Sequence, residues 1–258
     1  MYFFVPNLII DALIIFCMGL SSLGVTVFHE AKFFLYIWIF LALLLICASS
    51  VITLAWAESA NDIADYKVIN FNDFFKSIKS CIPDGIKFGL LLSAILLIGT
   101  TGAIFYLKPQ GQISFAGLLA GFCYIWATII ILASLFWFPA IRATMHNPFA
   151  KTVKKCFIVF FDNLWVSIVL GFYNIFLALI SIVMLGIAPG MCGIQLARAN
   201  AFRLIMKKYD YLEELNKKGE PLNSKARRKI PWKVLLKDDI EANPTRGLKA
   251  FIFPWKEE

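Results

Sequence analysis

CFIVFFDNLWVSIVLGFYNIFLALISIVMLGIAPGMCGIQLA, residues Cys156 to Ala197, carries one charge, Asp162, in 42 residues. A helix needs roughly 20 apolar residues to cross a bilayer core, so this run is long enough to cross twice. Basic segments flank it, with Arg142, Lys151, Lys154 and Lys155 before it and 15 of the 25 Lys and Arg from Arg198 onward. Lys and Arg gather on the cytoplasmic side of a membrane, so an even number of crossings keeps both basic segments there. Two places interrupt a helix, Gly171-Phe172-Tyr173-Asn174 and Ala188-Pro189-Gly190. A tight hairpin is expected at the first, and the second is the alternative.

Outward from this run, uncharged stretches occupy Ala12 to His29, Phe33 to Ala57, Phe88 to Leu107 and Pro109 to Ile141. With the long run counted twice, six spans result. The composition agrees, because 60% of residues are hydrophobic and 16% charged, against about 25% charged in soluble domains. The expected fold is all-α: a polytopic transmembrane helical bundle of about six spans over residues 1–206, followed by a basic cytoplasmic tail over 207–258. The first span is expected to be retained, since no basic segment precedes it as in a cleavable signal. With both termini cytoplasmic, only Lys32 and Lys108 fall on the far side.

Two cytoplasmic segments read as amphipathic interfacial helices. Phe71, Phe74, Phe75 and Ile78 recur at helical spacing opposite Asp73, Lys76 and Lys79, with Asn72 as cap and Pro83-Asp84-Gly85 as the expected end. From Pro148 to Phe161, Lys151, Lys154 and Lys155 stand opposite Val153, Phe157 and Phe160.

The formal charge of +8 lies beside a membrane segment, so lipid rather than nucleic acid is the expected partner. The six cysteines are scattered singly without a C-x-x-C pair and read as small core residues. The two histidines, His29 and His146, fall on opposite sides of the expected topology. No nucleophile elbow, zincin motif, Walker loop or dinucleotide fingerprint occurs. Neither an enzyme nor a cofactor or metal site is expected. A lipid-directed membrane enzyme would usually gather His, Asp or Glu at one face, and here the faces carry mostly lysine.

Ionisable and polar residues in spans are costly and often functional. Asp11, Asp162, Asn174 and Gln195 are the candidates for an intramembrane polar path, with Ser49, Ser50 and Thr53 as weaker companions; bonding to neighbouring helices is the competing role. Gly117 and Gly121 form a G-x-x-x-G, expected to mark helix packing. Pro-Trp-Lys occurs twice in the tail, offering Trp232, Lys233, Trp255 and Lys256 as membrane-edge anchors or docking residues for a partner protein.

Asp73-Phe74-Phe75-Lys76-Ser77-Ile78-Lys79 and Phe138-Pro139-Ala140-Ile141 resemble segments of the YesL-like family of bacterial membrane proteins, also called the domain-of-unknown-function 624 family. The order of elements from about Phe33 to Tyr209 is similar, with Ser50-Val51-Ile52-Thr53 at the family's Pro-Val-Val-Thr position, without its proline. The first span and the tail lie outside the resemblance. It implies a bacterial inner (cytoplasmic) membrane location and an association with carbohydrate uptake by ATP-binding-cassette transporters, and it supplies no catalytic residue. An accessory or regulatory component of such a system is therefore expected, with an autonomous small transporter or channel as the alternative. The oligomeric state is left open.

Overall fold

The computed structural model describes residues 32–65, 67, 70–107, 115–184, 190–218, 230–237 and 239. These residues form eight helices and no strand: α1 (Lys32–Ala64), α2 (Phe71–Leu107), α3 (Phe115–Leu135), α4 (Phe138–Met145), α5 (Phe149–Asp162), α6 (Leu164–Val183), α7 (Gly190–Lys217) and α8 (Trp232–Leu235). The chain divides into two compact units after Phe202, within α7. Four stretches are long and apolar enough to cross a membrane: Phe40–Ala64, Asn72–Tyr106, Phe115–Met145 and Leu164–Val183. The expected span at Ala12 to His29 lies outside the described residues, and the crossing-length stretches among the described residues number four, not six.

In the first unit, α1 and α2 are antiparallel and unusually close. A Cβ built on Gly85 would lie 2.7 Å from the Val51 backbone, and one on Gly89 would lie 2.6 Å from that of Cys47. Gly85 and Gly89 are one turn apart, so both present bare backbone to the same neighbour. α3 then returns along α2, where the Tyr124 hydroxyl donates to Ile98 O at 2.7 Å.

Three sequence expectations change. Pro83 does not end an amphipathic helix, because α2 runs unbroken from Phe71 to Leu107. Proline removes one hydrogen bond, which a packed membrane helix tolerates, and the contacts of Ser80 with Glu58 and of Asp84 with Arg142 hold the helix on either side of it. The hairpin at Gly171-Asn174 is also absent, since α6 is continuous across it. A lone glycine costs a helix only about 1 kcal/mol, less than leaving backbone groups unpaired in hydrocarbon. The helix instead stops at Met184, and α7 begins at Gly190 with a left-handed φ of 56°. Finally, open space surrounds a Cβ placed on Gly117, although Gly121 is buried. The tight glycine pair is Gly85 and Gly89.

Local chemistry sets the other breaks. Pro139 prevents α3 from continuing through Phe136 and Trp137 into α4. α4 closes on His146, whose φ of 47° lets its N–H return to Arg142 O at 3.1 Å, and Pro148 then starts α5. α5 buries Thr152, Cys156, Val159 and Phe160 and exposes Lys151 and Lys154, but Ile158 and Phe161 are exposed as well and Val153 and Phe157 are only half-buried. Buried Asn163 separates it from α6.

The core of this unit gathers where α1 ends and α2 begins. Trp56 packs on Phe74 with ring centroids 4.5 Å apart, and Phe88 stacks on Phe138 at 4.2 Å. α7 meets α1 at two places, in the same chain order. Its Cys192 packs against the Ala55, Trp56 and Phe74 cluster, and seven residues later Ala199 joins Ala60 and Ala64. Away from this core, Leu97, Phe105, Phe115 and Phe122 present bare apolar surface.

The described part of the second unit clamps α8 beside the end of α7. Asp239 accepts from Arg203 at 2.9 Å and from Lys207 at 2.5 Å. The Lys207 hydrogen bond is the main reason that the Asp239 carboxyl is held below the usual carboxylate range.

Gly85→Ala and Gly89→Ala each force backbone apart and are expected to destabilise the protein by about 1–3 kcal/mol. Gly117→Ala, at an open helical site, is expected to be neutral or stabilising by up to about 1 kcal/mol. Thermal unfolding of the three variants in detergent checks this order.

Candidate functional site

Polar side chains converge where α1, α2 and α4 meet. Arg142, one turn before the end of α4, donates from Nε to Asp84 Oδ2 on α2 at 2.5 Å, and both side chains are largely buried, 15% and 17% exposed. The Arg142 Nη1 also lies 2.9 Å from Nδ1 of His146. If Nη1 donates there, the histidine carries its proton on Nε2. Nearby, Thr144 Oγ1 donates to Asn61 Oδ1 at 3.1 Å, tying α4 to α1, and Ser80 Oγ donates to Glu58 at 3.4 Å, tying α2 to α1.

Chain geometry explains the meeting. The close approach at Gly85 brings the adjacent Asp84 to the core end of α2, and the proline break before α4 turns Arg142 back toward it. Neither residue stands out alone in sequence, because Arg142 reads as a loop cation and Asp84 as part of a Pro-Asp-Gly turn. The available signal was the cost of an ionisable group, Asp84, inside what proves to be a continuous membrane-length helix. Among the described residues, no group of three His, Cys, Asp or Glu could hold a metal ion, and the polar cluster has the character of a cross-brace between helices.

The expected path residues do not meet in this cluster. Asp162 sits exposed at the end of α5, within 3.5 Å of the Asn163 amide. Asn174 is buried within α6, 5% exposed, and neither Oδ1 nor Nδ2 has a partner among the described residues. Ser167, Leu170, Asn174 and Ser181 are the buried positions of that helix, a stripe at near-heptad spacing. Ser167 accepts from Trp137 Nε1 at 2.9 Å and donates to Asn163 O at 3.0 Å. Gln195, 3% exposed on α7, accepts from Arg198 at 3.4 Å. Ser49, Ser50 and Thr53 return their hydroxyls to carbonyls of their own helix at 2.7–2.9 Å, which satisfies them without a cavity.

On the tail, Trp232 is 41% exposed in the short helix α8 and Lys233 beside it is exposed. Asp11, Trp255 and Lys256 lie outside the described residues. Elsewhere, burial pushes the Cys156 thiol up to about 12, which makes it a core residue rather than a nucleophile.

No protein-family model matches this sequence, and no curated protein or solved structure matches it either.

Arg142→Met leaves the Asp84 carboxylate buried without its cation and is expected to cost about 3–5 kcal/mol, whereas the double variant Arg142→Met with Asp84→Leu recovers most of that loss. A double-mutant cycle on unfolding in detergent measures the coupling. Additive losses would show that the pair holds nothing.

Proposed function

We propose that this protein is an accessory or regulatory component of a solute-uptake system, with carbohydrate as the solute class. Four helices of crossing length and apolarity fit an integral membrane protein. The finer role is supported by the character of the polar groups. Those at the meeting of α1, α2 and α4 bond one another and brace helices, while an aromatic side chain is held outward elsewhere.

The observation that carries the proposal is Trp232. It remains 41% exposed beside Lys233 on a segment that Asp239 pins to α7 through two ion pairs. A rigidly presented tryptophan with a neighbouring cation is a suitable anchor for a protein partner. The carbohydrate assignment, the bacterial inner membrane and membership of the YesL-like family rest on the resemblance at Asp73–Lys79 and Phe138–Ile141.

The topology belongs to the same proposal. Within the first unit, α7 runs in the direction of α1, so it heads toward the end at which α1 turns into α2 and at which Arg142 meets Asp84. This supports one cytoplasmic side for the basic residues around Lys76 and those from Arg142 to Lys155; that the tail and both termini share that side rests on the distribution of Lys and Arg along the sequence.

An autonomous transporter is the second reading, favoured by the unpartnered carboxamide of Asn174 inside an apolar helix. Mass spectrometry of material copurifying from gently solubilised native membranes separates the two. The accessory role predicts subunits of an uptake system with the full chain and at least tenfold less with Trp232→Ala combined with Lys233→Ala, a loss of about 1.4 kcal/mol or more. Recovery of the protein alone, together with solute flux in proteoliposomes that Asn174→Leu abolishes, would replace it with the second reading.

A further inference from the structure

Arg198 is a cation taken largely out of water without an opposing charge. Its guanidinium carbon lies 3.7 Å from the centroid of the Phe136 ring. Among the described residues its one side-chain hydrogen bond is the 3.4 Å donation from Nη1 to Gln195 Oε1, and its Nε is sealed without a partner. No salt bridge to a carboxylate reaches it among the described residues, and desolvation alone pulls the guanidinium down to about 9, so it is still charged at neutral pH. A guanidinium carries five N–H donors; with Nε sealed and one Nη1 hydrogen on Gln195, those left for an incoming anion among the described residues are on Nη1 and Nη2.

The surroundings keep this arginine in place. Three residues before it, Gln195 is buried; one residue after it, Ala199 packs with Ala60 and Ala64; one turn after it, Phe202 lies 6.3 Å from Trp137. The residue is only partly buried as a whole, which leaves an approach from outside. Removing a charge from water without pairing it is costly. Stacking on Phe136 returns part of that cost and, with the Nε side sealed, leaves the Nη1–Nη2 edge of the planar fork to meet two oxygens of one phosphate.

We propose that Arg198 is the cationic centre of a phosphate-binding site, stacked on Phe136 and oriented by Gln195. The phosphate comes from an anionic lipid headgroup or from a soluble phosphate. This inference is independent of the uptake role, since it uses neither Trp232 nor a partner protein.

The test is thermal unfolding of the full chain in neutral detergent, titrated in turn with inorganic phosphate, phosphatidylglycerol and, as a neutral lipid, phosphatidylcholine. At saturation one of the two anionic additions is expected to raise the wild-type Tm by about 4 °C or more beyond the neutral lipid. Arg198→Gln is expected to lose that rise. Arg198→Lys, which keeps charge but not the planar fork, is expected to show a reduced rise. A rise with phosphatidylglycerol alone assigns the site to a headgroup, and a rise with inorganic phosphate assigns it to a soluble phosphate. The proposal is overturned if neither addition raises the Tm, or if the rise persists undiminished in Arg198→Gln. Should that variant fail to fold, a full wild-type rise in Arg198→Lys overturns it as well.

Discussion

The backbone contact between α1 and α2 is the constraint on which the first unit depends. In lipid, helices gain little from hiding apolar surface, and association relies on close packing and on polar bonds. Gly85 and Gly89 supply the first by letting α2 reach the backbone of Val51 and Cys47. The polar bonds follow from it, because the same approach brings Asp84 within reach of Arg142 and Ser80 within reach of Glu58. α4 is fastened by that ion pair and by Thr144 on Asn61. Its entry residue Trp137 then receives α6 through Ser167 and α7 through Phe202.

The arrangement concentrates order at one end of the bundle. Trp56, Trp137, Phe138 and Phe202 are almost wholly buried there, whereas Phe105, Phe115 and Val183 are more than three-quarters exposed. Such exposure would be an aggregation hazard in water, and it is ordinary surface in hydrocarbon. The buried end also contains the charged and polar side chains, among them Asp84, Arg142, Gln195 and Arg198. Function is therefore sought where the polar groups are, at the core end of the unit, and on the outward-facing Trp232 of the tail.

Much of the architecture was legible in the sequence, because apolar length is a local property. Phe33 to Ala57 and Phe88 to Leu107 fall within α1 and α2. Breaks were harder to read. Pro83 and Gly171 weaken a helix locally, yet packing and the cost of unpaired backbone outweigh both, and α2 and α6 continue through them. The candidate sites were less legible still. Asp84 and Arg142 are 58 positions apart, and only the fold reveals that one carboxylate meets one guanidinium. Gly85 and Gly89 carry the same spacing as Gly117 and Gly121 but gain their meaning from the neighbour they touch. Asn174 and Gln195 stood out by polarity alone and are indeed buried, but Asn174 has no partner and Gln195 serves Arg198.

The account turns on α7 meeting α1 in the same direction, the arrangement in which Arg198 stands against Phe136. Disulfide crosslinking in native membranes, in an otherwise cysteine-free chain, tests it directly. Cysteines at Ala60 and Ala199 should crosslink, and so should Cys192 with a cysteine at Ala55, while Cys192 should not crosslink with one at Ala64. Crosslinking of Ala55 to Ala199 and of Ala64 to Cys192 would mean that α7 runs the opposite way, and the account would be wrong.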